Sequence, residues 1–246
     1  MRTYLASLFI VGCIGLNARA QFGDLLSRTT VEAKFDLPKK FSLGVAVQSR
    51  YNFSKTSYNR TLYTIDASYD ATKWLRICGS FRHTIQSNPN VLLDGKTLLS
   101  RYRYSGGIRL NPAALFGFDK YVDIYLSSLY QFGDLKFERP QYYWRNKITL
   151  KPNLKSKIFK PYISAESFYC FNQYYYLVGN AFVTQGLMNE MRYEVGTQLD
   201  FNKKNSIELG FMLRDYQTKK NTDLVLCVTY SHTFLKNRKS KSKASQ

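Results

Sequence analysis

The stretch FSLGVAVQSRYNF, residues Phe41–Phe53, sorts by parity. Phe41, Leu43, Val45, Val47, Tyr51 and Phe53 hold the odd positions, while Ser42, Gly44, Ala46, Gln48, Arg50 and Asn52 hold the even ones. Successive side chains of an extended chain point to opposite faces, so this period of two makes a strand with one apolar face and one polar face. A soluble sandwich strand also alternates, but seldom for a dozen residues with Arg and Gln opposite a stripe bounded by aromatics. The pattern suits a wall with lipid on one side and packed polar groups on the other.

The same division recurs along the chain. In SRYRYSGGIRLNP, Ser100–Pro112, residues Tyr102, Tyr104, Ile108 and Leu110 oppose Arg101, Arg103 and Arg109. Leu75, Ile77, Phe81 and Ile85 oppose Arg76, Ser80 and Arg82, and Val122, Ile124, Leu126, Tyr130 and Phe132 oppose Asp123, Ser127 and Gln131. Tyr142, Trp144, Ile148 and Leu150 oppose Arg145, Lys147, Thr149 and Lys151. Further on, Ile207, Leu209, Phe211 and Leu213 oppose Glu208 and Arg214, and Leu224, Leu226, Val228, Tyr230 and Phe234 oppose Thr229, Ser231 and Thr233. About eleven such runs are present, each near or above the length that a tilted membrane-crossing strand needs.

The links between runs also alternate. Pro38–Lys40, Asp70–Lys73 and Asn202–Asn205 read as tight turns, whereas Gln86–Thr97, Gly133–Pro140 and Asn172–Leu187 read as longer links. The expected fold is therefore all-β: an antiparallel transmembrane β-barrel of 10 to 12 strands with short periplasmic turns and longer extracellular loops. Closure removes the unpaired edges that so many strands would otherwise leave. Phe41 to Phe234 supplies ten strands, and Thr29–Leu37 makes an eleventh that starts outside. Since single-chain bacterial barrels have even strand numbers, two routes are open. Either Gln21–Ser27 forms a short partner strand and the wall has twelve, or the N-terminal segment climbs through the lumen and the wall has ten.

Charge narrows the partners. The chain of 246 residues has 36 Lys and Arg against 17 Asp and Glu, a formal net charge of +19. Such a balance favours phosphate-bearing partners, either nucleic acid or a membrane surface. The segment MRTYLASLFIVGCIGLNARA, Met1–Ala20, has an early Arg, an apolar run from Tyr4 to Leu16 and Ala18-Arg19-Ala20 before Gln21, as a cleaved secretory signal does. Ile10-Val11-Gly12-Cys13 loosely fits the box before a lipid-modified cysteine, but apolar residues continue through Leu16, and Ala18-Arg19-Ala20 stands at a better distance. Loss of Arg2 and Arg19 with the signal leaves +17, of which the tail Leu235–Gln246 carries +5. The body, residues 21–234, is thus basic by about +12. A tail without apolar period is expected to be solvated or to meet phosphates of the inner leaflet. Cys78, Cys170 and Cys227 are odd in number and widely spaced, which implies neither a disulfide framework nor a metal knuckle. A platform for single-stranded nucleic acid needs aromatics and cations on one face, and period two puts them on opposite faces.

LVLCVTYSHTF, Leu224–Phe234, alternates into Tyr230, His232 and Phe234 and resembles the terminal aromatic signal read by the outer-membrane assembly machinery. In most such proteins the Phe is the last residue, whereas here Leu235–Gln246 follow. FKPYISAESFY (159–169), YYWRNKITLKP (142–152), WLRICGSFRH (74–83) and MRYEVGTQLDF (191–201) resemble, in order, strands of a bacterial outer-membrane family known as domain-of-unknown-function family 2490. The resemblance spans roughly Thr29–Phe234 and implies a barrel in the outer membrane, in contact with membrane lipids and lipopolysaccharide. It brings no catalytic or binding residues with it, and the sequence implies no cofactor or metal.

The candidate site is the charged lumen: Arg50, Arg82, Arg101, Arg103, Arg109, Arg145, Lys147, Glu166, Arg192 and Arg214. Arg76, Asp66, Asp123, Glu190, Glu194 and Glu208 share that inferred face. A charge on the lipid side costs about 2–4 kcal/mol at the midplane, while the lumen accepts it. These groups either fill the barrel as a ladder of ion pairs or hold an anionic solute or headgroup. Glu166, among basic neighbours, reads as an ion-pair hub rather than a general acid or base. Lipid-modifying enzymes that place a His two residues before a Ser on the wall find no counterpart, since Ile85 follows His83 at that spacing and Phe234 follows His232. A structural or binding barrel is the leading expectation, with narrow anion transport and lipid modification as alternatives.

Overall fold

The two-faced runs become eleven strands in a computed structural model that describes residues 22–55, 57–87, 98–135, 138–154, 156, 158–176, 182–216 and 221–234. They are β1 (Phe22–Asp36), β2 (Phe41–Asn52), β3 (Ser57–Asp70), β4 (Leu75–Ser87), β5 (Leu98–Leu110) and β6 (Val122–Leu135). β7 (Glu138–Pro152), β8 (Phe159–Tyr176), β9 (Phe182–Asp200), β10 (Asn205–Tyr216) and β11 (Asn221–Phe234) complete the wall. Chain neighbours pair antiparallel, and β1 closes the barrel on β11 in parallel. The expected signal segment and the basic tail both lie outside the described residues.

Eleven falls within the expected 10 to 12 but is reached by neither of the two routes. Gln21–Ser27 makes no strand of its own, because β1 runs unbroken from Phe22, and β1 belongs to the wall rather than the lumen. The reason is that β1 is itself two-faced. Val31 is exposed on the outside and Phe35 stacks on Phe234 at 4.8 Å, while Arg28 and Glu32 bond to partners in the interior. β1 pairs with β2 from Leu26 to Asp36 and with β11 from Leu25 to Phe35, so both of its edges are satisfied. The chain thus enters at one rim, here the N-terminal rim, and β11 leaves at the opposite, C-terminal rim.

Two of the expected long links are shorter than the sequence suggests, because strands continue into them. β6 reaches Leu135 and β7 begins at Glu138, and the β8–β9 ladder runs on to Tyr176 and Phe182. Residues 88–97 of the remaining long link lie outside the described residues. On the C-terminal rim the turns at Leu37–Lys40, 71–74 and 201–204 are tight, but 111–121 holds a helix, α1 (Pro112–Phe116). Its signals are local: the Asn111 side chain accepts from the Ala114 N–H at 3.3 Å, Pro112 opens the first turn, and Gly117 ends it at φ 78°.

The rows of paired residues slant steeply. A row that leaves β1 at Phe22 passes Thr222, Asp215, Met191, Ser167, Asn146, Ser128, Ile108, Ile77 and Tyr69 and returns beside Asp36, about fourteen residues along the strand. The exterior is apolar, with Val45, Val47, Ile65, Ile77, Ile163, Leu209 and Phe211 exposed. Aromatic contacts bound it at both ends. Toward the N-terminal rim they run His83–Tyr102, Phe81–Tyr104, Tyr104–Phe132, Phe132–Tyr142 and Tyr169–Phe171, and toward the C-terminal rim Phe41–Tyr69, Phe35–Phe234 and His232–Phe234.

Candidate functional site: the charged lumen

One slanted row carries much of the lumenal charge. Asp70, Arg76, Arg109, Ser127, Lys147, Glu166, Arg192, Arg214 and Asp223 stand directly opposite one another on consecutive strands from β3 to β11. Because rows tilt against the barrel axis, the stripe climbs from Asp70 near the C-terminal rim to Asp223 near the N-terminal rim. Alternation puts all of these residues inside.

Ion pairs line the lumen on the side formed by β7–β11 and β1. Glu166, buried, accepts from Arg145 and, at 3.3 Å, from Arg192. Glu190 holds Arg192 at 2.7 Å and Arg214 at 2.8 Å. Glu194 on β9 accepts from Arg28 on β1 at 3.1 Å and lies 3.6 Å from the Lys147 ammonium on β7, so this one carboxylate ties distant parts of the wall together. The Tyr162 hydroxyl lies 3.0 Å from an oxygen of Glu194 and 3.0 Å from one of Glu208. Arg192 also sits 4.1 Å over the Phe168 ring. Beside these groups, Leu26, Met212, Val225 and Cys227 form a small apolar cluster inside the barrel. Buried carboxylates that each receive two or three charged donors are compensated and rigid.

A second group of arginines has no ion-pair partner among the described residues. Arg50 and Arg60 stand directly opposite one another on β2 and β3, next in the row to the paired Arg28 on β1, and Arg82 stands opposite Arg103 on β4 and β5. Arg50 donates to Gln48 Oε1 at 3.1 and 3.0 Å, Arg60 to Asn59 Oδ1 at 2.6 Å and Arg82 to Thr64 Oγ1 at 3.1 Å. Arg103 lies 5.7 Å over the Tyr143 ring. These partners are all neutral. Among the residues whose side chains are described no carboxylate lies at ion-pair distance from Arg50, Arg60, Arg82, Arg101 or Arg103, although Asp66 acts on Arg82 and Glu190 on Arg103 at longer range; Arg60 is within electrostatic range of Arg50, Arg101 and Arg103, and Arg82 of Arg50 and Arg103. Like charges directly opposite across strands repel, more so where the dielectric is low.

The predicted site residues thus separate. Arg145, Lys147, Glu166, Arg192 and Arg214 come together in the ion-pair network, where Glu166 has the geometry of a hub. Arg50, Arg82, Arg101 and Arg103 gather in the arginine chamber toward the N-terminal rim. Arg109 is apart from both, near the C-terminal rim, where it helps line a cavity of about 410 Å3. Sequence reasoning missed Arg28, Arg60 and Tyr162. Arg60 shares the parity of Asp66 and was findable on that ground, but Leu62 between them sets an apolar residue on the lumen face. Both histidines face outward: His83 stacks on Tyr102 at 4.8 Å, and His232 Nδ1 lies 2.7 Å from Asn205 Oδ1.

A closed barrel with an apolar, aromatic-bounded exterior and a charged interior is the class that fold and site define. Within that class the chain belongs to DUF2490, a family of proteins of unknown function, whose model matches residues 29–225, from within β1 to within β11. A search of curated proteins gave no match.

Proposed function

We propose that this protein is an integral outer-membrane β-barrel that does not conduct and that binds an anion in its arginine chamber. The carrying observation is the in-register opposition of Arg50 with Arg60 and of Arg82 with Arg103, with neutral hydrogen-bond acceptors at Arg50, Arg60 and Arg82 and no carboxylate at ion-pair distance among the described residues. A filled structural barrel would match each guanidinium to a carboxylate, as the Glu166, Glu190 and Glu194 side of this same lumen does. Uncompensated cations in an enclosed lumen draw an anion, and guanidinium forks suit oxyanions that accept two parallel bonds. The apolar belt and its aromatic borders support the membrane setting, with membrane lipids and lipopolysaccharide against the outer face. Insertion by the outer-membrane assembly machinery follows from the same reading.

The test is titration of the protein in detergent or nanodiscs with inorganic pyrophosphate, followed by calorimetry. Binding is expected to weaken steeply with added salt and to fall at least tenfold in the double variant Arg82→Gln/Arg103→Gln. In planar bilayers the protein is expected to give no current steps. Anion-selective steps would favour the narrow transport alternative, and a chain that stays soluble without detergent and shows no heat-modifiable gel shift would remove the membrane reading.

A further inference from the structure

We propose that the cavity at the C-terminal rim is a second anion site, separate from the arginine chamber, whose ligand is a phosphate monoester on a small hydroxylated body, as in a sugar phosphate. The cavity holds about 410 Å3, within the roughly 300–1,000 Å3 of small-molecule sites. Tyr162 and Glu208 stand at its inner end, where the tyrosine hydroxyl bridges to Glu194 and divides this space from the lumen above.

Its cations are incompletely matched. Arg76 and Arg109 oppose each other in register, and of the two only Arg76 has a carboxylate partner among the described residues, through two bonds to Asp70 at 2.5 and 3.1 Å. The Arg109 guanidinium, largely exposed, makes one described bond, 3.3 Å to the Ser127 hydroxyl. The Lys151 ammonium lies 5.5 Å over the Tyr162 ring, with no carboxylate at ion-pair distance among the described residues. At electrostatic range Glu208 is the strongest charge acting on Lys151 and favours its ammonium, while Lys147, Lys34 and Arg109 oppose it. A phosphate dianion set between Arg109 and Lys151 receives a guanidinium fork and an ammonium, and so relieves their mutual repulsion.

The remaining wall selects what the phosphate is attached to. Asp70 and Glu208 also line the cavity, so a second phosphate would meet carboxylates, while a sugar hydroxyl would find acceptors. Thr72, Tyr125 and Thr149 add hydroxyls, and Trp74 offers a flat ring at the mouth. The same chemistry can come from a soluble sugar phosphate or from the glycerol phosphate headgroup of a lipid reaching in at the rim.

The experiment is calorimetry with glucose 6-phosphate on the full-length protein in phosphatidylcholine nanodiscs, with glucose as the uncharged control. Saturable binding of glucose 6-phosphate but not of glucose is expected. All arms are also run in the Arg82→Gln/Arg103→Gln background, so that the arginine chamber adds no binding; in that background Arg109→Gln/Lys151→Gln should bind at least tenfold more weakly and Lys151→Arg should retain binding. A heat-modifiable gel shift checks that each variant is folded. Preferential retention of phosphatidylglycerol by the wild type, lost in the Arg109/Lys151 variant and displaced by glucose 6-phosphate, identifies the lipid source. If the wild type neither binds glucose 6-phosphate nor retains phosphatidylglycerol, the site does not exist. Abolition of glucose 6-phosphate binding by Arg82→Gln/Arg103→Gln also overturns it, because the binding then belongs to the arginine chamber, whereas loss of pyrophosphate binding alone bears only on that chamber.

Discussion

Tyr162 lies over Gly196 so closely that a methyl group on the glycine would sit 2.7 Å from the tyrosine's hydroxyl oxygen. The two residues are direct cross-strand partners, and Gly210 is the next residue in the row. A phenol ring laid across two paired glycines replaces the side-chain packing that glycine lacks and carries the hydroxyl to Glu194 and Glu208. One aromatic residue thereby joins β8, β9 and β10 and closes the inner end of the rim cavity.

Gly196→Ala is therefore expected to destabilise the barrel. The added carbon would also lie 2.5 Å from the Leu209 carbonyl oxygen, which belongs to the backbone and has little room to yield. Overpacking of this kind costs about 1–3 kcal/mol. The temperature at which the protein loses its fast-migrating folded band should drop, and a band as resistant as the wild type's would show that the ring moves aside freely.

Glu194→Gln is expected to cost more. It would leave Arg28 and Lys147 facing a neutral amide in the interior, and removal of one partner from a buried pair typically costs about 3–5 kcal/mol. Lys34→Gln is the comparison, because the Lys34–Glu32 pair is substantially exposed, with 47% of the lysine side chain open, and exposed pairs contribute about 0–1 kcal/mol. Urea unfolding in detergent should rank the two variants in that order, and equal midpoints would mean that the Glu194 pairs do not hold the barrel together.

Closure through a parallel seam is open to a direct chemical check. Thr29 on β1 pairs with Val228 on β11, and alternation turns both outward. With Cys78, Cys170 and Cys227 replaced by serine, Thr29→Cys/Val228→Cys should form a disulfide under mild oxidation and shift mobility on a non-reducing gel. Thr29→Cys/Thr229→Cys, whose side chains point to opposite faces, should not. A β1 that climbed through the lumen would give neither product.

The wall was legible in the sequence wherever apolar and polar residues kept strict parity, as in Phe41–Phe53 and Ser100–Leu110. It was obscured where both parities carry the same chemistry. Leu25 and Leu26 are adjacent, and pairing with β11 shifts register between Phe22 and Leu25, so the start of β1 could not be found by alternation alone. In Asn172–Leu187, Tyr174, Tyr175 and Tyr176 occupy both parities, although the ladder runs on through them. The lumen set came from charge, which left Tyr162 unseen, since a tyrosine suits the outer aromatic belt as well as the interior. Only its partnership with Gly196 and Gly210, a matter of register between distant segments, assigns it. The sorting of arginines into matched and unmatched groups likewise depends on which strands face each other across the barrel, and no local pattern carries that.

The proposed membrane setting predicts how the two tryptophans respond to lipid. Trp144 is 47% exposed on the outer face, and its indole N–H donates to Ser128 Oγ at 2.7 Å. That bond satisfies the ring's one polar group within the wall, so the rest of the indole can lie in hydrocarbon without an unpaired donor. Trp74 stands instead at the mouth of the rim cavity. In nanodiscs containing lipid brominated on the acyl chain, the single-tryptophan variant Trp74→Phe should lose most of its fluorescence, because Trp144 touches the quencher. Trp144→Phe, which keeps only Trp74, should lose much less and should instead respond to glucose 6-phosphate if the rim cavity is occupied. Trp144 emission that survives the brominated lipid in the Trp74→Phe variant would mean that the face bearing Trp144 does not meet lipid, and the outer-membrane reading would fall with it.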